Sequence, residues 1–202
     1  TILNKYGFAT YIALFILFAG TIGILFSLTL GMVYHKHFDM EYLSWCMVMG
    51  AVWMLGESNL RQILVPNASA LGSLCFVMIL LCPIPLLLYA DCVQHGLHHR
   101  LYCWIGGAAL LDFAICTLLT TADIADYIET LPIGQIILIG TFLIIFIHLC
   151  LYTHASQDQT DHLLLLGLLI AMLCVAVESA SVYFITNLSG VFIGIGMLIL
   201  LF

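Results

Sequence analysis

Glu57 and Arg61 stand four residues apart in the run WMLGESNLRQI, inside a stretch otherwise apolar enough to dissolve in lipid. On a helix that spacing puts acid and base on one face, with the acid N-terminal to the base, the better order for a pair. Trp53 lies one turn below Glu57 on the same side and offers an aromatic wall. A charge at the centre of a membrane helix costs at least about 2.5 kcal/mol, so such residues face the bundle interior or water, or else snorkel to headgroups as anchors. Glu178 occupies a similar place further along the chain, on a small-residue face with Ala171, Cys174 and Ser181. Two acids sharing one base leave a spare negative charge, which suits a small cationic or polar ligand or a coupling to protonation.

Two further titratable groups sit within apolar runs. Asp112 falls at the middle of one, where a carboxyl is either held neutral by its surroundings or meets a donor from another helix. His148 lies in the next, and an interhelical hydrogen bond is the expected use of a single histidine there. The remaining histidines cluster in polar connectors, and no apolar run carries an i, i+4 His pair, so neither a metal site nor a catalytic residue is assigned, and no cofactor is expected. Cys75, Cys82, Cys116, Cys150 and Cys174 fall inside apolar runs and read as small packing residues.

Positioning these groups requires membrane helices. Of the 202 residues, 64% are hydrophobic and 7% charged, with a mean hydropathy of +1.19, which excludes a soluble domain. A net charge of −7 with only four Lys and Arg argues against nucleic acid as a partner. With about 20 apolar residues needed per crossing, the chain divides into seven spans: 6–34, 42–64, 70–89, 101–121, 133–152, 163–185 and 191–202. The fold class is all-α, a polytopic seven-transmembrane helix bundle. Pro83 and Pro85 predict a kink in the third span. Ser27 with Gly31, Ala176 with Ala180, and Gly190 with Gly194 are small-xxx-small steps that let helices approach.

Orientation follows the basic residues. The first, third and fifth connectors hold Lys36, Arg100 and seven of the eight His, whereas the fourth, 122–132, holds Asp123, Asp126 and Glu129. Placing the basic connectors inside puts the N-terminus outside and the C-terminus inside. Glu57, Arg61 and Glu178 then share the outer third of the membrane with Thr120 and Thr121, and an outward-opening polar cavity between spans two, four and six is expected. The chain begins without Met and stops inside an apolar run, so it reads as a piece of a longer protein.

The runs EYLSWCMVMGAVWMLGESNLRQILVPN, LCPIPLLLYADC and TTADIADYIETLPIGQ resemble the seven-helix sensory module of bacterial signalling receptors, of the type placed ahead of diguanylate cyclase domains. The resemblance covers about residues 42–183 and implies a receptor whose last helix feeds a cytoplasmic output domain. It carries over a WxLxES element as Trp53, Leu55, Glu57 and Ser58, and a Pro-Ile-Pro element as Pro83 and Pro85. Neither an outer sensory domain nor a GGDEF motif is present in the chain.

The sequence therefore leads to a sensory module in the plasma membrane. Its expected ligand-binding residues are Trp53, Glu57, Ser58, Arg61, Asp112 and Glu178. Its partners are membrane lipid, a small ligand at the outer pocket and a signalling domain in the same longer chain, with a homodimer left open. The competing reading is a secondary or proton-coupled carrier using Glu57, Asp112 and Glu178, but no repeat relates the two halves. The DRY and NPxxY motifs of G-protein-coupled receptors are absent.

Overall fold

A computed structural model describes residues 2–34, 40–57, 68–156 and 165–175, with single positions at 177, 195, 196 and 199. The described residues are helical, with no strand among them. In chain order the helices are α1 (Ile2–Tyr34), α2 (Met40–Glu57), α3 (Ala68–Leu81), α4 (Pro83–Val93), α5 (His99–Thr121), α6 (Tyr127–Ser156) and α7 (Leu165–Val175). Among the described residues, four stretches are long and apolar enough to cross a membrane: Thr10–Tyr34, Leu71–Val93, His99–Thr121 and Glu129–His154. The second span of the sequence reading is described only as far as Glu57 and the sixth chiefly over Leu165–Val175, and the seventh falls almost wholly outside the described residues.

The third span is broken as its prolines predict. Pro83 and Pro85 have no N–H for the carbonyls of Ile79 and Leu81, and a single turn residue, Cys82, separates α3 from α4. Cys82 keeps right-handed helical angles, and its N–H still reaches the Met78 carbonyl at 3.0 Å. The joint therefore keeps helical backbone angles while losing two rungs of the ladder, and both prolines are buried.

α1 packs along α2, α2 along the third span, and the third span along both α5 and α6, which also pack together. The core follows from helical spacing. On α6 the buried Leu138, Phe142, Ile145 and Leu149 recur at steps of four, three and four, forming one stripe. The stripe meets Met47 and Met54 of α2, Leu86 of α4, and Leu168 and Ala171 of α7 in one cluster. Outward residues such as Phe18, Trp104, Leu118 and Leu151 are each at least 65% exposed, as expected of surfaces solvated by lipid tails.

Close approach between α1 and α2 occurs at Gly20, where an added Cβ would lie 2.9 Å from Val48 Cγ2, and at Gly23, where it would overlap Ser44. Ser27, from the small-residue step read in the sequence, is buried nearby. The other two such steps lie outside the described residues.

Two connectors are shorter than the sequence predicts. α4 runs on to Val93 and α5 begins at His99, so the third connector reduces to residues 94–98. The Gly96 N–H bonds the Asp91 carbonyl at 2.9 Å and the His95 N–H bonds the Cys92 carbonyl at 3.0 Å, a Schellman closure with His95 left-handed at φ 52°. The same device ends α5: Ile124 N–H to Leu119 O at 3.0 Å, Asp123 N–H to Thr120 O at 3.2 Å, and Asp123 at φ 53°. α6 begins at Tyr127, so the fourth connector is 122–126, and the stretch YIETLP, expected to be loop, opens α6. Glu129 suits a helix start, lying in the first turn where a negative charge is favourable, whereas Pro132 lies inside the helix and gives no N–H to the Ile128 carbonyl.

Candidate functional site

The predicted outer site is described only in part. Trp53 is buried in the core, 7% exposed. Glu57 ends α2 as backbone, and Ser58, Arg61 and Glu178 lie outside the described residues. The third span stands between α2, which carries Trp53, and α5, which carries Asp112. Thr120 and Thr121 donate their hydroxyl protons to carbonyls of their own helix, Cys116 at 2.9 Å and Leu118 at 3.0 Å.

Asp112 is half-buried on α5 and faces α6, its Oδ2 3.5 Å from where a Cβ on Gly134 would sit. Its Oδ1 accepts a weak bond from the Cys116 thiol at 3.8 Å. A shape-preserving amide keeps that acceptor, whereas a lysine brings a cation into apolar surroundings. Asp112→Asn is therefore expected to assemble like the parent, and Asp112→Lys to lose most protein from the membrane, at a cost of about 3 kcal/mol. The check is membrane-fraction abundance and detergent melting of both variants. If Asp112→Asn also fails, the carboxyl is working as a paired anion and the amide argument is wrong.

The densest polar arrangement lies elsewhere, at the α4–α5 turn. The Schellman closure returns the chain so tightly that Asp91, near the end of α4, meets His99, the first residue of α5: Nδ1 and Oδ2 are 2.7 Å apart. Four residues on, the Cys103 thiol stands on the same face of α5, with Sγ 3.5 Å from His99 Nε2. The imidazole is thus held from one side by a carboxylate and faces a thiol on the other. Cys103 and His99 are exposed, Asp91 is half-buried, and its second oxygen, Oδ1, is buried without a partner.

A second cluster backs onto this one. Tyr102 is 3% exposed and donates its hydroxyl proton to Gln94 Oε1 at 2.9 Å. Gln94 is 1% exposed and its Nε2 has no partner. The His98 ring stacks on His148 of α6 with centroids 4.0 Å apart, and Tyr102 meets His148 edge-on at 5.8 Å. This corrects two sequence expectations. His148 Nδ1 is buried without a hydrogen-bond partner, and the ring is used for stacking on another imidazole. His98 and His99, grouped in the sequence with solvated loop histidines, belong to the start of α5 and are engaged in contacts.

Below the Asp91–His99–Cys103 set runs a groove of about 230 Å³ between α4 and α5. Ile84, Leu87 and Leu88 wall it on one side and Leu110 on the other, and Gly106 and Gly107 leave it open along α5. By contrast, the central cavity between α2, the third-span break, α6 and α7 is small, about 30 Å³, and apolar, with Met47, Cys82 and Phe142 among its walls. Among the described residues no group of three or more His, Cys, Asp or Glu is arranged to hold a metal.

Compared with protein-family models, curated proteins and solved structures, the chain has no significant match. Function must therefore be argued from this geometry. Among the described residues no disulfide joins the cysteines; Cys75, Cys82 and Cys116 are buried, in keeping with packing roles, while Cys103 is exposed.

Proposed function

We propose that the chain is a multi-pass sensory module of the plasma membrane, N-terminus outside, that passes a ligand or membrane signal to a cytoplasmic output domain of the diguanylate cyclase type. The observation that supports this over a carrier is the broken third span beside an apolar centre. Cys82, at the break, is a wall of the central cavity, so a change in packing there re-aims α4 relative to α3. A carrier needs a polar route across the bundle, and Asp112, the acid on which the carrier reading leans at mid-span, is not a wall of that cavity.

In this reading the ligand is small, polar or cationic, and binds at the outer mouth through Trp53, Glu57, Ser58, Arg61 and Glu178. The test attaches a diguanylate cyclase after Phe202 and follows its product in cells. Arg61→Ala and Glu57→Gln are expected to change output while leaving membrane abundance unaltered. An impermeant thiol reagent on a cysteine-free background should label a cysteine placed at position 126, and not one at 95, from outside. Unchanged output in both variants overturns the sensory reading, and the reverse labelling overturns the orientation.

A further inference from the structure

We infer that Cys103 is a site of S-acylation, in which His99 and Asp91 activate the thiol toward a long-chain acyl thioester and the groove between α4 and α5 receives the chain. The first ground is the relay itself. A thiolate is the attacking form of cysteine, and a thiol beside an imidazole whose far nitrogen is held by a carboxylate is the arrangement that generates it. Here the Sγ–Nε2 separation is 3.5 Å and the Nδ1–Oδ2 separation 2.7 Å. With Nδ1–H given to Asp91, the lone pair of Nε2 points at the thiol and can take its proton.

The second ground is what lies beside the thiol. His99, Cys103, Gly107 and Leu110 follow one another along one face of α5, and from Cys103 to Leu110 the groove runs about 10 Å of helix at 1.5 Å per residue, which takes the thiol-proximal part of a long acyl chain. Away from the turn its walls are leucine, isoleucine and the two glycines, and at the turn stand Tyr102, Cys103 and the Asp91–His99 pair. The groove is thus apolar along its length and polar at one end, matching an aliphatic chain that ends in a reactive carbonyl. The glycines are what make the room: a Cβ on Gly107 would meet nothing within 4 Å, and one on Gly106 only Leu87 at 3.8 Å.

The step balances without a redox partner. His99 Nε2 takes the Cys103 proton as Sγ attacks the acyl carbon, forming the new C–S bond. The tetrahedral intermediate then collapses by breaking the C–S bond of the donor thioester. The departing thiolate recovers the proton from His99, giving S-acyl Cys103 and one free thiol. The chemistry does not depend on which side of the membrane the turn faces, nor on the sensory reading above.

The test uses the full chain in liposomes with palmitoyl-coenzyme A, followed by intact-protein mass spectrometry with and without hydroxylamine. Wild type should gain one hydroxylamine-sensitive palmitoyl group, mapped to Cys103 and absent in Cys103→Ser. His99→Ala should slow the gain by on the order of 100-fold, the lower end of general-base contributions, and Asp91→Asn by roughly tenfold or more. Full end-point labelling of Cys103 by N-ethylmaleimide in these variants shows that the thiol is still presented. Gly107→Leu, which fills the groove, should slow palmitoyl transfer while sparing transfer from acetyl-coenzyme A. The inference is overturned by no adduct on wild type, by equal modification of Cys92, or by a wild-type rate in His99→Ala. Equal loss of both acyl donors in Gly107→Leu overturns the assignment of the groove.

Discussion

Gly56→Ala is expected to lower the stability of the bundle by about 2 kcal/mol, although alanine is the better helix former by about 1 kcal/mol. A Cβ at position 56 would overlap Cys75 Sγ and lie 2.8 Å from Cys75 Cβ, so α2 and α3 must separate to admit it. Turning the thiol away gives up its weak bond to the Val52 carbonyl at 3.2 Å and leaves the Cβ contact in place. Overpacking of a closely fitted interior costs about 1–3 kcal/mol, enough to outweigh the helix preference. Gly72→Ala is the matched control, since a Cβ there meets nothing within 4 Å and should be neutral or stabilising. Unfolding by sodium dodecyl sulfate, followed by helix circular dichroism, measures both. Adding Cys75→Ala to Gly56→Ala should recover part of the loss, because the sulfur goes but the Cβ stays. If Gly56→Ala and Gly72→Ala unfold alike, the close approach of α2 and α3 is refuted.

The second large effect concerns Tyr102 and Gln94, which are buried together at the α4–α5 turn. Tyr102→Phe removes the only hydroxyl donor given to Gln94 Oε1 among the described residues, leaving an amide with both ends unpaired in the interior. Leaving a buried polar group unsatisfied costs about 1–3 kcal/mol, and Gln94→Leu should cost a similar amount by stranding the phenol. Combining Gln94→Leu with Tyr102→Phe removes both polar groups at once and also disposes of the unpaired Nε2. The double variant is therefore expected to be more stable than either single one, with a coupling of about 1–3 kcal/mol in the same unfolding assay. Simple additivity would mean that the two side chains do not depend on each other.

The helices were legible because apolar run length carries most of the information in a membrane chain, and the broken third span was legible because proline has no N–H to give. Connector ends were not. Asp, His, Glu and Pro favour connectors in a sequence, yet Asp91 lies within α4, Glu129 lies in the first turn of α6 where a negative charge is favourable, and Pro132 lies inside α6. The stacking of His98 on His148 joins two helices whose adjacency no local pattern encodes. The Asp91, His99 and Cys103 set is different, because it is local. The i, i+4 step from His99 to Cys103 stands in the sequence, and only the tightness of the turn that adds Asp91 was hidden. A search for His pairs alone passes over it. The outer site expected of Glu57, Ser58, Arg61 and Glu178 falls where the described residues stop.

The break at Cys82 also divides the third span in time. α5 is fastened at its C-terminal end by the Schellman bonds onto Leu119 and Thr120, and α4 by those onto Asp91 and Cys92, so neither end is free to fray. The third span, in contrast, has two carbonyls, those of Ile79 and Leu81, with no i+4 amide to lock them across the joint. Cooperative opening propagates along a helix through that ladder, and where rungs are missing it stops. α3 and α4 are therefore expected to lose their amide protons on two schedules in hydrogen exchange. α3 follows its packing against α2, and α4 follows the α5 turn that carries Asp91.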